Sequence, residues 1–395
     1  MTLPASPGPE HDAFIAWAQD RGVRINGVAP ARLPGRGLGV VATREVKEGD
    51  VLVSVPAKAL LTIESKPVQD AGLPTGEDAT VHGRLAAYLA MMHADEQVDW
   101  DVWRRVWPTQ ESFEESMPLC WDEREKECLS APGRADHLAK QEAKLEADWK
   151  LLRDHLPHPK DRRLYAYYWM IVNTRTFYWD YPTNNHSSKP RAKKRKLAVD
   201  DCMALCPFME YFNHADEGCT VVHTKTGFTI TSHRSYSPGE EIHVSYGAHT
   251  NEFLLVEYGF VLDSNQWDDV RLDPVILPRL NAAQTTLLRD NGFLGDYALT
   301  RDECCHRTQV ALRALLLPKG RVEGFLRGLE SGEKEQGQVD ELLNECVEEY
   351  LNIVGEMEEK ARRLDDGDRK NVILKRWRQV REVLEASRKA LEKET

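Results

Sequence analysis

Cys206-Pro-Phe-Met-Glu210-Tyr-Phe-Asn213-His214 opens the stretch of this chain whose reading decides the fold. Two apolar, Thr-rich runs follow, then Pro238-Gly-Glu-Glu241-Ile-His-Val-Ser-Tyr246-Gly247, and finally Glu257-Tyr258-Gly259-Phe260. An Asn-His pair, a Pro-Gly turn and two Tyr-Gly pairs thus fall within about one supersecondary unit. Singly, each has an ordinary structural reading. Asn213 can cap or turn the chain, and His214 can be a satisfied polar residue near a core. Tyr246 and Tyr258 can be aromatic core residues, each followed by a Gly that ends its element.

On the N-terminal side, Phe14, Ile15, Trp17 and Ala18 suit a short amphipathic helix over residues 12–19, and residues 23–28 read as extended. Arg36-Gly37-Leu38-Gly39-Val40-Val41-Ala42 and Val51-Leu-Val-Ser-Val55 are strand-like runs joined by a Glu-Gly-Asp turn, which predicts a hairpin between them. Gly37-Leu38-Gly39 lets backbone approach a ligand, because neither Gly carries a Cβ. A dinucleotide fingerprint would need a third Gly and a following helix; here strand-like residues follow instead. Residues 80–93, 140–152 and 163–177 carry apolar residues at helical spacing, the last ending in Asn173-Thr-Arg175-Thr-Phe177.

A polar loop then closes on the basic run Lys189-Pro-Arg-Ala-Lys193-Lys194-Arg195-Lys196. It reads either as a solvated loop or as a nuclear import signal. Beyond Trp267 strand signals almost vanish. Residues 280–288, 301–317, 339–359 and 371–391 look helical, the last with a narrow apolar stripe of Ile373, Leu374, Trp377, Val380 and Leu384. A domain boundary is expected at about Gln266.

Composition limits the function classes. The chain has 395 residues, 41% of them hydrophobic, enough for two or three domain cores. A formal net charge of −12 argues against nucleic-acid binding through the overall field and favours a basic partner. There is no apolar run of about 18 residues, and the Pro-rich N-terminus lacks the design of a signal peptide, so neither membrane insertion nor export is expected. The 8 scattered cysteines suit a reducing compartment. Cys202, Cys206, Cys219 and His223 have spacing that zinc could use, but Cys206 sits in an apolar run as a buried thiol would, and no metal is expected.

Arg36-Gly37-Leu38-Gly39, Asn173-Thr-Arg175-Thr-Phe177, Glu210-Tyr-Phe-Asn213-His214, Pro238-Gly-Glu-Glu241, Tyr246-Gly247 and Glu257-Tyr258-Gly-Phe260 follow one another in the order seen in SET domains. The chain resembles SET-domain protein methyltransferases, and more closely the Rubisco large-subunit methyltransferase-like branch that includes fungal ribosomal-protein-lysine methyltransferases. The resemblance implies an α+β fold: a SET domain over residues 1–265, and an all-α substrate-binding domain over residues 266–395. Its β-rich halves would lie at about 22–60 and 202–262, with a helical insert at about 65–200. Segment 206–214 would thread beneath the loop after Tyr246, forming a pseudoknot.

By the same resemblance the cofactor is S-adenosyl-L-methionine. Arg36, Gly37, Leu38 and Gly39 would hold its methionine part, and Arg175 would lie near its carboxylate. Asn213 and His214 would bind its amino group and adenine, with Glu210 and Phe260 completing the binding set. Tyr246 would orient methyl and amine, while Tyr258 and Phe260 would line a channel for the target lysine. Methyl transfer from a sulfonium is an in-line displacement that needs alignment and a neutral amine, which an apolar aromatic channel favours. Glu210 stands where many relatives carry Asp. The expected function is lysine methylation of a non-histone protein, such as a ribosomal protein or translation factor, in the nucleus or cytoplasm. Histidine methylation and a silent SET-like scaffold that binds a partner through its helical tail are the alternatives.

Overall fold

The computed structural model describes residues 6–74, 80–131, 137–157, 160–180 and 202–394; the basic run Lys189–Lys196 lies outside them. The chain packs as two compact units, Met1–Phe113 with Lys140–Ala248, and Glu114–Ala139 with His249–Thr395.

The first unit carries β1 (Arg24–Ile25), β2 (Val28–Leu33), β3 (Gly37–Ala42), β4 (Val51–Pro56), β5 (Thr176–Tyr178), β6 (Met203–Leu205), β7 (His214–Thr224), β8 (Gly227–Thr231) and β9 (Glu241–Ile242). They form a sheet in the order β1-β4-β8-β7, a second in the order β2-β3-β9, and the pair β5-β6. All of these pairings are antiparallel. Strands from both ends of the unit therefore meet in each larger sheet. That mixing brings the Arg36–Gly39 region to the Asn213–Tyr246 region.

The expected hairpin between β3 and β4 does not form. The turn between them pairs with residues far along the chain instead. Val46 bridges Tyr236, Gly49 N–H donates to the Ser232 carbonyl at 2.9 Å, and Ser232 N–H donates to that of Asp50 at 2.9 Å. With both edges of β3 taken by β2 and β9, and those of β4 by β1 and β8, no hydrogen-bonding edge is left for the local pairing.

The helices Val81–Met91, His137–Leu152 and Arg162–Arg175 support this unit. Thr80 caps the first of them by accepting from Gly83 N–H at 2.8 Å and donates to buried Asp148 at 2.7 Å. Asp148 also accepts from Trp169 Nε1 at 3.0 Å, so one carboxylate ties three helices. A Cβ on Gly83 would lie 2.6 Å from the Asp148 carboxyl carbon, which accounts for that glycine. The third helix ends at Arg175, two residues before the expected Phe177, because Thr176 and Phe177 pair with Leu205 and Ala204.

The second unit is helical, with one short strand pair, β10 (Val270–Arg271) and β11 (Ala298–Leu299). The expected helices span Ala282–Asp290, His306–Leu316, Gln336–Arg362 and Asp368–Glu394. Ile373, Trp377, Val380 and Leu384 of the stripe are buried. Their core also holds Trp121, Cys128 and Ala131 from the insert and Leu255 from the helix Asn251–Tyr258. Trp377 Nε1 donates to the Cys128 carbonyl at 2.7 Å. The first unit thus ends at Ala248, ahead of Gln266, since the following helix buries its apolar side in the helical core. Glu257-Tyr258, read as part of a β-rich half, closes that helix, and Gly259 caps it at φ 80°.

Candidate active site

The β2–β3 hairpin sets one wall of the site. Gly37 begins β3 at φ +73°, and a Cβ there would meet nothing. Gly39 is crowded: a Cβ would fall 2.4 Å from Leu33 Cδ1, 2.8 Å from Asn213 Nδ2 and 2.9 Å from Glu241 Oε1. Asn213 Nδ2 donates to the Leu38 carbonyl at 3.0 Å and to Glu241 Oε1 at 2.9 Å, and Glu241 Oε2 meets the Arg36 guanidinium at 2.9 Å. Three separate motifs converge here. Burial alone would raise the Glu241 carboxyl, but hydrogen bonds from His243 and Asn213, with the His243 and Arg36 charges, outweigh it and hold the pKa below the usual carboxylate value.

Asn213 is therefore already committed as a donor within the protein, and its carbonyl accepts from Val244 N–H at 3.0 Å. His214 and Cys219 both bridge Val244 in parallel register, and Cys219 N–H donates to the His243 carbonyl at 2.7 Å. The stretch 213–219 thus straddles the run 243–246, so the crossing expected beneath the loop after Tyr246 involves the residues leading up to it. Gly218 permits this contact: a Cβ would lie 2.7 Å from the Val244 backbone.

Tyr246 hangs from the crossing. Its amide donates to His214 Nδ1 at 3.1 Å, its ring stacks on that imidazole at 5.0 Å and 25°, and its hydroxyl donates to the Phe212 carbonyl at 2.7 Å. Since Nδ1 accepts, the ring proton of a neutral His214 sits on Nε2. Burial raises the Tyr246 phenol above its ordinary pKa while the Arg175 charge opposes it. A phenol kept neutral in this way orients by hydrogen bonding and serves poorly as a base.

Arg175, the last residue of its helix, is lowered by burial and supported by the charges of Tyr246, Glu210 and Tyr167. Its hydrogen bond is a long one, 3.4 Å to the Thr174 carbonyl. Glu210 lies on the short turn Met209–Tyr211; its Oε1 accepts from Trp103 Nε1, and its Oε2 is buried without a partner. Burial pushes its carboxyl up to about 7 against the Trp103 bond and the Arg175 charge.

The family model described as SET domain matches residues 37–247, more than half of the chain. The chain belongs to the SET domain family. Beyond the SET region, the model described as Ribosomal lysine N-methyltransferase 2 C-terminal domain matches residues 268–390. The ribosomal lysine N-methyltransferase set11 of Schizosaccharomyces pombe is 30% identical over 220 residues, 52% of this chain and 54% of that protein. The chain thus spans about half the length of that relative. Ribosomal lysine N-methyltransferase 2 of Saccharomyces cerevisiae is 24% identical over 325 residues, 69% of this chain and 65% of its own length. The SET domain of LSMT, solved with lysine and AdoHcy, superposes with a TM-score of 0.64 at 16% identity, over 99% of this chain and 92% of that one, which shows the fold.

In this SET-domain chain, Arg36, Leu38, Gly39, Asn213, His214 and Tyr246 meet directly or through Glu241, and the Arg175 guanidinium feels the charges of Tyr246 and Glu210. Tyr258 and Phe260 belong to the second unit, where their rings lie 6.3 Å apart; they enter the functional reading through the resemblance alone. Glu241, Gly218 and Trp103 are participants that motif reading passed over. In the sequence Glu241 reads only as part of a turn. Cys202, Cys206, Cys219 and His223 do not gather: Cys206 lies against Met209 Sδ at 3.1 Å, Cys219 against Tyr236, and His223 against Asp180. Among the described residues no group of three His, Cys, Asp or Glu is placed to hold a metal. A cavity of about 990 Å³ opens elsewhere, lined by Trp17, Leu60, Tyr88 and Trp100.

Proposed function

We propose that this chain is an S-adenosylmethionine-dependent protein-lysine N-methyltransferase acting on a non-histone protein, with ribosomal proteins as the favoured class. The observation that carries it is Tyr246, fixed at its amide, ring and hydroxyl by His214 and Phe212, with the Arg175 charge acting on its phenol. The names of the two yeast relatives and of the matched C-terminal domain support lysine and the ribosome.

The residues present fit the methyl donor. Arg175 is a half-buried cation whose one hydrogen bond among the described residues is long, suited to a carboxylate, and Gly37 and Leu38 present backbone at an open hairpin. When bound, the donor supplies a sulfonium methyl open to in-line attack by an amine. What the protein adds is alignment: the Tyr246 hydroxyl, held by Phe212, marks where the amine stands, and the rigid crossing limits its freedom. Tyr246 need not remove a proton, since its phenol stays neutral.

Residues 266–395 are proposed to bind the substrate protein, whose basic character the net charge of −12 would favour. No helix among the described residues is long and apolar enough to cross a membrane. The proposed location is the nucleus or cytoplasm, with Lys189–Lys196 as the import element to delete in a tagged chain. The deciding experiment is transfer of labelled methyl into a methylation-depleted lysate by the full chain and by Tyr246→Phe, with the modified residue identified by mass spectrometry. Label on a lysine that fades with the variant supports the reading; label on histidine, or no binding of S-adenosylhomocysteine, overturns it.

A further inference from the structure

The turn that leads into the crossing is strained, and what holds it comes from the other end of the first unit. Phe208 is fully buried at φ 75°, a backbone conformation that a bulky side chain keeps only where its surroundings enforce it. The turn Met209–Tyr211 follows directly: Tyr211 N–H donates to the Phe208 carbonyl at 3.2 Å, and Phe212 N–H to that of Met209 at 3.2 Å. The Phe208 ring meets those of Tyr211 and Phe212 edge-on at 5.6 and 6.3 Å. Tyr211 is fixed in turn by the N-terminal helix Pro9–Asp20, 200 residues away. His11 Nδ1 and the Tyr211 hydroxyl are hydrogen-bonded at 2.7 Å, both side chains are buried, and the Phe14 ring stands edge-on to Tyr211 at 5.8 Å. Phe14 also stacks at 6.1 Å on Trp103, which donates to Glu210. One helix thus supports two adjacent residues of the turn, and the His11 bond is the directional part of that support.

We propose that His11 is a positioning residue for methyl transfer: by fixing Tyr211 it sets the Phe212 carbonyl that takes the Tyr246 hydroxyl. The inference rests on the methyltransferase reading and adds to it a residue that no motif marks. The plane of the Phe212 carbonyl is set by the turn on one side and by Asn213, tied to Val244, on the other. Loosening Tyr211 removes the first of these supports, and the hydroxyl that follows the carbonyl shifts with it. Alignment of a reacting group is sensitive to offsets of about 1 Å. Burial and the Arg32 charge lower the His11 pKa against the charges of Glu10 and Asp12, so the bond is made by a neutral imidazole, which a neutral amide can imitate.

The test compares variants of the full chain in transfer of labelled methyl into a methylation-depleted lysate, with S-adenosylhomocysteine calorimetry and thermal unfolding alongside. His11→Leu should lower the rate at saturating donor about tenfold, while the donor KM and the S-adenosylhomocysteine affinity stay within about twofold. Tyr211→Phe deletes the other half of the bond with little change in packing and should give the same loss, which covers a His11→Leu chain that folds poorly. His11→Asn, with an amide near the place of Nδ1, should restore most of the rate. In a Tyr246→Phe background, His11→Leu should cost nothing further, because the hydroxyl through which His11 acts is gone.

Unchanged rates in both single variants, or losses that multiply with Tyr246→Phe, overturn the positioning role alone. So does a loss shared by rate, donor affinity and melting temperature that His11→Asn does not rescue, which would mark His11 as structural. A wild type that neither transfers methyl nor binds S-adenosylhomocysteine overturns the methyltransferase reading with it.

Discussion

Tyr246 and His214, 32 residues apart, are joined twice: the Tyr246 amide donates to His214 Nδ1 at 3.1 Å, and the two rings stack at 5.0 Å. A double tie of this kind fixes the tyrosine's backbone and its ring plane together, leaving the hydroxyl as the remaining handle. Phe212 takes that handle as well.

Tyr246→Phe should keep the stack and the amide bond and lose only the hydroxyl. Methyl transfer should fall about a hundredfold or more, the scale expected when a reacting group loses its alignment. Thermal unfolding of the variant should change little, and a large drop in melting temperature would assign the loss to folding instead.

Gly39→Ala and Gly37→Ala separate crowding from strain. The first would press a methyl into Leu33, Asn213 and Glu241, and should cost about 1–3 kcal/mol while displacing the Asn213 amide. At Gly37 the space is open, and the cost should be about 1–2 kcal/mol from the positive φ alone. Denaturant unfolding gives both numbers; donor binding should suffer more in Gly39→Ala.

Glu210 should also shape the pH dependence of stability. Its folded pKa of about 7 lies above its ordinary 4.5, so between these values the unfolded chain has released a proton that the folded chain keeps. Stability therefore falls as pH rises through that window, on the order of 1–3 kcal/mol in all. Glu210→Gln should flatten this component. Urea unfolding at the two ends of the window checks it, and a slope of opposite sign would show that the carboxyl is not held neutral.

In the second unit, Arg376 and Asp268 are both buried and meet at 2.7 Å, with Asp268 also accepting from the Asn251 amide at 3.0 Å. Asp268→Ala leaves a buried guanidinium unpaired and should cost about 3–5 kcal/mol. Replacing both partners with apolar residues should recover part of that loss, which denaturant midpoints would show.

Much of the helical architecture was legible because its signal is local. Residues 80–93 and 140–152 read as helices from spacing alone, and Ile373, Trp377, Val380 and Leu384 fall on the buried side of the last helix. Strand pairing was not legible. β3 and β4 are near neighbours in the chain with a turn between them, yet each found partners elsewhere, since any strand edge can pair with any other and the choice rests on the whole unit. The same holds for Glu241. In the sequence it closes a Pro-Gly turn; in the fold it joins Arg36 to Asn213.

The sequence by itself determined the order of the motifs, the division into a β-rich and a helical region, and the residue types that the chemistry requires, because these depend on composition and on periods of a few residues. Tertiary structure decided which of those residues act together. It tied Asn213 into the protein as a donor, placed Gly218 where the Val244 backbone crosses, and left one oxygen of Glu210 buried without a donor. The physical reason is that hydrogen-bond commitment and burial are properties of three-dimensional neighbours, and neighbours drawn from positions 36, 103, 175, 210 and 241 share no local pattern.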